Sequence, residues 1–179
     1  YFLPRREERA ALGRLLFVGR LVPEKGIREL LHAFASLIRD GTNLSLTLVG
    51  DGPMRGEIEQ FAAKANLAGR INLVGSVPPE DVPSWISRSD LLAHPSYSEG
   101  WPNVCMEALA GGVPVVGSDI TGIREIVCDD TLGILAPPRC AKSLAAAIRM
   151  ALERKWDRDR MIAYASGFSW ERIGKQYIE

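Results

Sequence analysis

Two glutamates, Glu99 and Glu107, flank a turn in a segment otherwise made of small and apolar residues, SEGWPNVCMEALAGGVPVV (residues 98–116). Gly100 and Pro102 mark the turn, and proline is favoured at the first position of a helix, so a helix is predicted to begin near Pro102. Glu99 then lies on the loop, and Glu107 lies about one turn, or roughly 6 Å, inside the helix. Carboxylates in apolar surroundings need partners, because an unpaired buried charge is costly.

The start of this predicted helix offers backbone N–H groups that have no partner within the helix. Those of Asn103 and Val104 would suit a phosphate group, and the Glu99 carboxylate itself could occupy the same position at the positive end of the helix dipole. For Glu107, the neighbouring apolar residues offer few partners, and the hydroxyl groups of a sugar would serve.

A second pair of charges, Arg20 and Lys25, lies on the loop VGRLVPEKG (residues 18–26), which follows a predicted strand. Two cations on one short, proline-stiffened loop could clamp a diphosphate, Arg20 with its planar guanidinium and Lys25 as a point charge. The alternative is that both are solvated, with Lys25 paired to Glu29 four residues further on. Spacing alone leaves both interpretations open.

The composition disfavours several classes of function. Lysine plus arginine equals aspartate plus glutamate at 22 each, so no overall charge recruits nucleic acid or an anionic membrane. The three cysteines, Cys105, Cys128 and Cys140, lack metal-ligand spacing and indicate a reducing compartment and packing roles. No apolar run approaches the roughly 20 residues of a membrane helix, so a soluble, cytoplasmic protein is expected. A chain that opens at Tyr1 is expected to be part of a longer protein.

Short apolar runs that end in Gly, Pro or Ser alternate with helical patterns. The runs predict buried strands at residues 14–19, 44–50, 70–75, 89–95, 112–118 and 133–138. Apolar residues at helical spacing predict helices over 27–38, 58–65 and about 142–154, and another from 161 with a break at Gly167. Buried strands joined by crossover helices form a parallel sheet, so the predicted fold is α/β, doubly wound and Rossmann-like, with three α/β/α layers.

In such sheets, ligands bind beyond the carboxyl ends of the strands. Five of the predicted strands end in turns rich in Gly, Pro and polar residues: VGRLVPEKG, VGDGP, VGSVPP, HPSYSEG and GSDITG. One such turn is weak evidence, but five at one edge of a sheet predict a ligand-binding rim.

Other motifs are not supported. The Asp-x-Asp sequence at residues 157–159 mimics a metal-binding motif but lies in the charged segment ERKWDRDR, so it is interpreted as solvated surface and no metal site is expected. His32 falls on the polar face of a predicted helix. His94 ends a predicted strand, yet no Gly-x-Ser-x-Gly sequence is present to make it a hydrolase base. Dinucleotide-binding and Walker motifs are also absent.

Taken in order, several segments resemble the C-terminal half of the retaining GT-B glycosyltransferases, the group 1 or family 4 type. These segments are FVGRLVPEKGIRELLHAF, LVGDGPMR, INLVGSV, HPSYSEGWPNVCMEALAGGVPVVGSDITGIREIV and GILAPP, with FSWERI near the end. The most specific element is the pair Glu99 and Glu107 followed by ALAGGVPVV. The resemblance covers almost the whole chain and implies one nucleotide-sugar-binding domain over residues 1–179.

The resemblance implies roles for the residues already singled out. Arg20 and Lys25 would hold the donor diphosphate and stabilise the leaving group without a metal or other cofactor. Glu99 would face the hydroxyls of the donor sugar. The donor would be a UDP- or GDP-linked sugar, transferred with retained anomeric configuration by attack from the front face. One position departs from the family, because Glu24 stands where a second basic residue is common.

The resemblance also implies a nucleotide site. Glu107 would accept hydrogen bonds from the ribose, and the backbone at Asn103 and Val104 would meet phosphate. The turn at Gly75, with Val77, would line the base. Gly122 and Glu125, in the sequence TGIRE, match another family landmark whose role is more structural.

An intact GT-B enzyme needs an N-terminal acceptor domain, which is expected to lie outside this chain, so the chain alone is expected to be inactive. The resemblance implies a bacterial, cytoplasmic enzyme of cell-surface polysaccharide or glycolipid synthesis, with peripheral membrane association through the missing domain. Half of a GT-B sugar-nucleotide epimerase and a non-catalytic nucleotide-binding module are the two alternatives.

Overall fold

The structure is a computed structural model that describes residues 13–168. The strands are β1 (Gly13–Val18), β2 (Leu44–Val49), β3 (Ile71–Gly75), β4 (Leu91–His94), β5 (Val115–Ser118) and β6 (Gly133–Ala136). The helices are α1 (Ile27–Arg39), α2 (Arg55–Lys64), α3 (Val82–Ser87), α4 (Asn103–Ala110), α5 (Thr121–Arg124), α6 (Ala141–Glu153) and α7 (Arg158–Ser166). Short 3-10 turns precede α1 and α3. The predicted segment FSWERI lies outside the described residues from position 169 onward.

The six strands form one sheet in the order β3-β2-β1-β4-β5-β6, and every neighbouring pair is parallel. This confirms the predicted doubly wound, Rossmann-like fold. The strand order reverses between β1 and β4, because the chain extends the sheet from β1 to one side with β2 and to the other side with β4. The loops that leave β1 and β4 therefore diverge and open a crevice at the carboxyl edge of the sheet.

Each face of the sheet has its own core. Phe17 of β1 and Phe34 of α1 belong to the core on the side of α1 and α6. Leu16 of β1, Leu109 of α4 and Met161 of α7 belong to the core on the opposite side. Neighbouring residues of β1 thus point to opposite faces, and both are fully buried, as expected for the central strand of a three-layer sandwich.

The structure shifts several predicted element ends. The strand predicted from residue 112 begins only at Val115, because Gly112 has a φ of 65° and Pro114 lacks an N–H group. The last helix begins at Arg158 because the Asp157 side chain accepts a hydrogen bond from the Arg160 N–H. Helices α3 and α5 are too short to give a periodic pattern, and the sequence did not predict them.

The interpretation of all three cysteines as core residues is wrong for one of them. Cys105 on α4 is buried, Cys140 is half-buried and Cys128 is exposed. Cys128 lies after α5, where its thiol is 3.6 Å from the Tyr164 hydroxyl.

Within residues 13–168, none of the helices combines the length and the apolar character that crossing a membrane requires.

Candidate functional site at the switch point

An ion pair joins the loops after β1 and β4 above the crevice. Lys25 Nζ donates to Glu99 Oε1 at 2.5 Å. The side chains are 22% and 13% exposed, so the pair is largely shielded from water. The alternative pairing of Lys25 with Glu29 is not formed, because the Glu29 carboxylate accepts a hydrogen bond from the Tyr97 hydroxyl at 2.6 Å. Two residues separated by 74 positions are thus brought together at the switch point.

Glu99 is held by more than one donor. His94 Nε2 lies 2.8 Å from the same oxygen, Oε1, that Lys25 contacts. Burial raises the pKa of Glu99, but hydrogen bonds from His94, Lys25 and Ser96 outweigh burial and lower the pKa to about 2. Glu99 is therefore ionised at neutral pH, held by side-chain donors from two loops and a strand end.

Gly26 makes the approach of the two loops possible. Its φ of 68° lies in the left-handed region, and a Cβ added to it would lie 2.1 Å from the Pro95 carbonyl oxygen. Next to this contact, the Tyr97 N–H donates to the Glu24 carbonyl at 2.8 Å, which ties the β4 loop to the β1 loop. The backbone thus places Lys25 and Glu99 face to face.

Gly122 makes a second close approach, between α5 and the loop that carries Glu99. A Cβ at Gly122 would lie 2.2 Å from the Gly100 carbonyl oxygen and 2.4 Å from that of Glu99. The backbone of Glu99 therefore lies against α5 on one side, while its side chain reaches Lys25 on the other. This contact agrees with the structural role that the family resemblance implies for Gly122.

Tyr97 braces the same loop, and sequence reasoning missed it. Its hydroxyl donates to Glu29 on α1, and the guanidinium of Arg139 lies 4.3 Å from the centre of its ring. Burial and the bond to Glu29 raise the pKa of Tyr97 to about 12, so the hydroxyl stays protonated and acts as a donor. In the sequence, the position of Tyr97 within the rim segment HPSYSEG is the signal that could have pointed to this role.

The start of α4 offers two backbone donors, as predicted. Among the described residues, the N–H groups of Asn103 and Val104 make no hydrogen bond, whereas the N–H of Cys105 donates to the Pro102 carbonyl at 2.9 Å. The helix begins at Asn103, one residue later than predicted, with Pro102 in the preceding N-cap position. This donor pair lies directly after the loop of Glu99.

Glu107 is exposed, so the expectation that burial forces partners upon it is wrong. It lies on the outward face of α4, while Cys105, Ala108 and Leu109 face the core. Nearby protein atoms nevertheless remove enough water from the carboxyl to raise its pKa. Within the part of the chain that the structure describes, Glu107 makes no hydrogen bond or ion pair.

The remaining predicted residues line the same edge of the sheet with fewer contacts. Arg20 is exposed, and the described residues give it no hydrogen bond or ion pair. Gly75 ends β3 with a φ of 88°, and its carbonyl accepts from the Gly50 N–H at 2.8 Å. Val77 is half-buried and packs against the core on the α4 side. The closest contacts of the site are thus those between the β1 and β4 loops.

The charged segment at residues 157–159 has a structural role that the sequence did not predict. Asp157 caps α7, and Arg158 donates to the carbonyl oxygens of Gly112 and Gly111 at 3.1 and 3.2 Å. Arg158 therefore secures the far end of α4. His32 is exposed, as predicted, with its ring against Phe61 at 5.2 Å.

The low pKa of Glu99 predicts a pH-dependent contribution to stability. The folded pKa of about 2 is below the ordinary value of 4.5, so ionised Glu99 stabilises the fold, and this stabilisation is lost as the pH falls. We expect Glu99→Gln to have a lower free energy of unfolding than wild type at pH 6. We expect that difference to shrink by about 2 kcal/mol at pH 3, measured by urea denaturation. A difference that stays constant over this range would contradict the pKa of Glu99.

A doubly wound parallel sheet with a crevice at its switch point is typical of α/β domains that bind nucleotides. Residues 6–168 match the model of the family Glycosyl transferases group 1, and the chain belongs to that family. The family resemblance of the motifs is thus confirmed, and the solved neighbours are GT-B glycosyltransferases.

Individual relatives support the same family. Alpha-D-kanosaminyltransferase of Streptomyces kanamyceticus is 32% identical over 152 residues, which are 85% of this chain and 39% of that protein. Sucrose-phosphate synthase from Thermosynechococcus elongatus is 30% identical with a TM-score of 0.80, covering 95% of this chain and 46% of that one. Anabaena HepE in complex with UDP and glucose is 28% identical with a TM-score of 0.72, covering 87% and 42%.

The chain spans only part of these proteins. Among the curated relatives it covers 35% to 45% of their length.

Proposed function

We propose that residues 1–179 form the donor-binding domain of a retaining GT-B glycosyltransferase. The observation that carries this proposal is the shielded pair of Lys25 and Glu99 at the switch point, where a cation for phosphate and a carboxylate for hydroxyls lie side by side. Binding of UDP and glucose by HepE, a neighbour of the same fold, supports a nucleotide-sugar ligand, with UDP the first nucleotide to test.

In this proposal, Lys25 and Arg20 bind the diphosphate and stabilise the negative charge that grows on the leaving group. They supply the positive charge, so no metal or other cofactor takes part. Glu99 accepts hydrogen bonds from the donor sugar. A carboxylate with a pKa of about 2 is a weak base, so Glu99 is suited to hold hydroxyls and poorly suited to remove a proton from an acceptor. A route in which Glu99 acts as the general base is therefore disfavoured. Transfer from the front face with retained anomeric configuration is proposed from the family resemblance.

The nucleotide lies along the same edge of the sheet. The N–H groups of Asn103 and Val104 meet a phosphate, since they lack partners among the described residues and lie at a helix start. Glu107, further along α4, accepts from the ribose hydroxyls. The turn at Gly75 and the side chain of Val77 contact the base.

The rest of the enzyme is a further proposal. An N-terminal domain binds the acceptor and closes over the donor, so the chain alone has no transferase activity. The intact enzyme acts in the cytoplasm, in cell-surface polysaccharide or glycolipid synthesis, and associates with the membrane face through its N-terminal domain.

Calorimetric titration with UDP, GDP and ADP tests the nucleotide site. We expect one of them to bind the wild-type chain, and Glu107→Ala to weaken that binding about 10-fold, because a charged acceptor for the ribose is lost. Glu153→Ala is the matched control, since Glu153 is the exposed last residue of α6. Helices of a parallel α/β sheet end at the edge opposite the crevice, so Glu153 lies far from the site. Absence of binding by all three nucleotides, or equal losses in the two variants, would contradict the proposal.

The other two functions are separated by assays on the chain extended with its N-terminal domain. Transfer of sugar from a nucleotide donor to an acceptor supports the transferase. Interconversion of free nucleotide sugars without transfer would indicate an epimerase, and binding without either reaction would indicate a non-catalytic module.

A further inference from the structure

His94 is a buried polar side chain at the carboxyl end of β4, with 2% of its surface exposed. Its Nε2 atom lies 2.8 Å from Oε1 of Glu99 and 3.3 Å from the Ser96 hydroxyl. We infer that His94 is a positioning residue that fixes the Glu99 carboxylate for the donor sugar when Lys25 is drawn to the diphosphate. This inference rests on the proposed function and assigns a role to a residue for which the family resemblance implies none.

The protonation pattern of the ring follows from its partner. An ionised carboxylate only accepts hydrogen bonds, so Nε2 of His94 must carry the hydrogen. The other nitrogen, Nδ1, is buried and has no hydrogen-bond partner among the described residues. The polar contacts of the ring are therefore all made through Nε2, toward Glu99 and Ser96. A replacement side chain with an N–H donor at the Nε2 position should therefore preserve the hydrogen bond to Glu99. A replacement with a donor only at the Nδ1 position should not preserve it.

His94 and Lys25 hold Glu99 in different ways. Both contact Oε1, but Lys25 reaches it from a loop through a flexible four-carbon stem, whereas His94 reaches it from a strand end packed in the sheet. A diphosphate dianion competes for the Lys25 ammonium, which can turn toward it by rotating that stem. The contact with His94 requires no such movement, so it persists and keeps the carboxylate in place.

The Glu99 carboxylate keeps acceptor capacity for a ligand. An ionised carboxylate has about four acceptor positions, and side chains of three residues, His94, Lys25 and Ser96, donate to it. The titratable groups that act on it are Lys25 from the β1 loop, His94 from β4, and the Cys105 thiol from α4. Burial raises the pKa of the Cys105 thiol, which therefore stays neutral and does not compete for the carboxylate.

The first measurement follows the Glu99 carboxyl directly by carbon-13 NMR as the pH is lowered, with the signal assigned by its loss in Glu99→Gln. We expect His94→Leu to raise the pKa of Glu99 clearly above that of wild type, because a hydrogen bond to the ionised form is lost. We expect His94→Gln, which places an amide donor near the Nε2 position, to restore the wild-type titration, and His94→Asn not to do so. Identical titrations in all four proteins would overturn the inference.

The second measurement compares the affinities for UDP and UDP-glucose in the same variants by calorimetry. The affinity for UDP-glucose divided by the affinity for UDP measures the contribution of the sugar contacts alone. We expect that ratio to fall about 10-fold in His94→Asn and to recover in His94→Gln, while the affinity for UDP changes little. An equal loss of affinity for both ligands would indicate general damage to the fold and would overturn the positioning role.

The two measurements separate failure of this inference from failure of the proposed function. If wild type binds neither UDP nor UDP-glucose, the donor role of His94 falls together with the proposed function. If wild type binds both and the variants leave their ratio unchanged, only the role of His94 falls. His94→Gln and His94→Asn both introduce a polar amide and differ by one methylene group, so their comparison decides the outcome even where His94→Leu does not fold.

Discussion

Replacing Gly26 with alanine is expected to destabilise the protein by about 4 kcal/mol and to lower its Tm by roughly 10 °C. The added Cβ would meet the Pro95 carbonyl oxygen at 2.1 Å, and backbone atoms on both sides prevent easy relief. The φ of 68° adds the strain that a residue with a Cβ experiences in the left-handed region. Relief of the clash requires the β1 and β4 loops to separate, so the contact between Lys25 and Glu99 should be lost as well.

Two other glycines separate the causes of this effect. Gly41 also has a positive φ, 88°, but a Cβ there would have nothing within 4 Å, so Gly41→Ala measures the cost of backbone strain alone. Gly56 lies in α2 with similar open space and an ordinary φ, and Gly56→Ala should stabilise the protein slightly through helix propensity. Thermal unfolding of the three variants provides the comparison. A Gly26→Ala variant no less stable than Gly41→Ala would refute the close loop contact.

Replacing Lys25 with alanine is expected to weaken the binding of UDP about 100-fold. A charge-assisted hydrogen bond to phosphate is lost, and the shielded Glu99 carboxylate is left facing the phosphates without its nearest cation. Binding of uridine, which has no phosphate, should change far less. Calorimetric titration with the two ligands measures both effects, and the loss should diminish as salt is raised, because added ions screen the phosphate interaction.

Lys64 provides the matched control for Lys25. It is an exposed lysine in the last turn of α2, and helices of a parallel α/β sheet end at the edge opposite the crevice. Lys64→Ala should leave the affinity for UDP unchanged. If the two lysine variants lose affinity equally, or if Lys25→Ala weakens uridine as much as UDP, Lys25 does not contact the diphosphate.

The sequence predicted the parts of the fold that depend on local patterns. Short apolar runs ending at glycines such as Gly50 and Gly75 identified the strands of the sheet, and helical spacing from Ile27 onward identified α1. The doubly wound order follows from the alternation of these elements, because parallel strands need crossover helices. The placement of Glu99 on a loop and of Glu107 in a helix followed from the turn residues between them.

The contacts of the site depend on tertiary structure, and the sequence could not supply them. Lys25 had a plausible partner four residues away, but its actual partner is Glu99, which only the adjacency of β1 and β4 brings close. The apolar neighbours of Glu107 in sequence predict apolar surroundings for it, yet α4 turns those neighbours inward and Glu107 outward. The roles of His94 and Tyr97 also emerge from side-chain packing around Glu99.

Binding of a nucleotide sugar at the crevice between the β1 and β4 loops can be detected by mapping the ligand onto the backbone. Amide signals of the isotopically labelled chain would be followed by NMR during titration with UDP-glucose. We expect the largest saturable shifts at Arg20 to Gly26, at Glu99 and at the start of α4, Asn103 and Val104. Saturable shifts confined to the opposite edge of the sheet, around Asn43 and Trp156, or no saturable shifts at all, would contradict binding at this crevice.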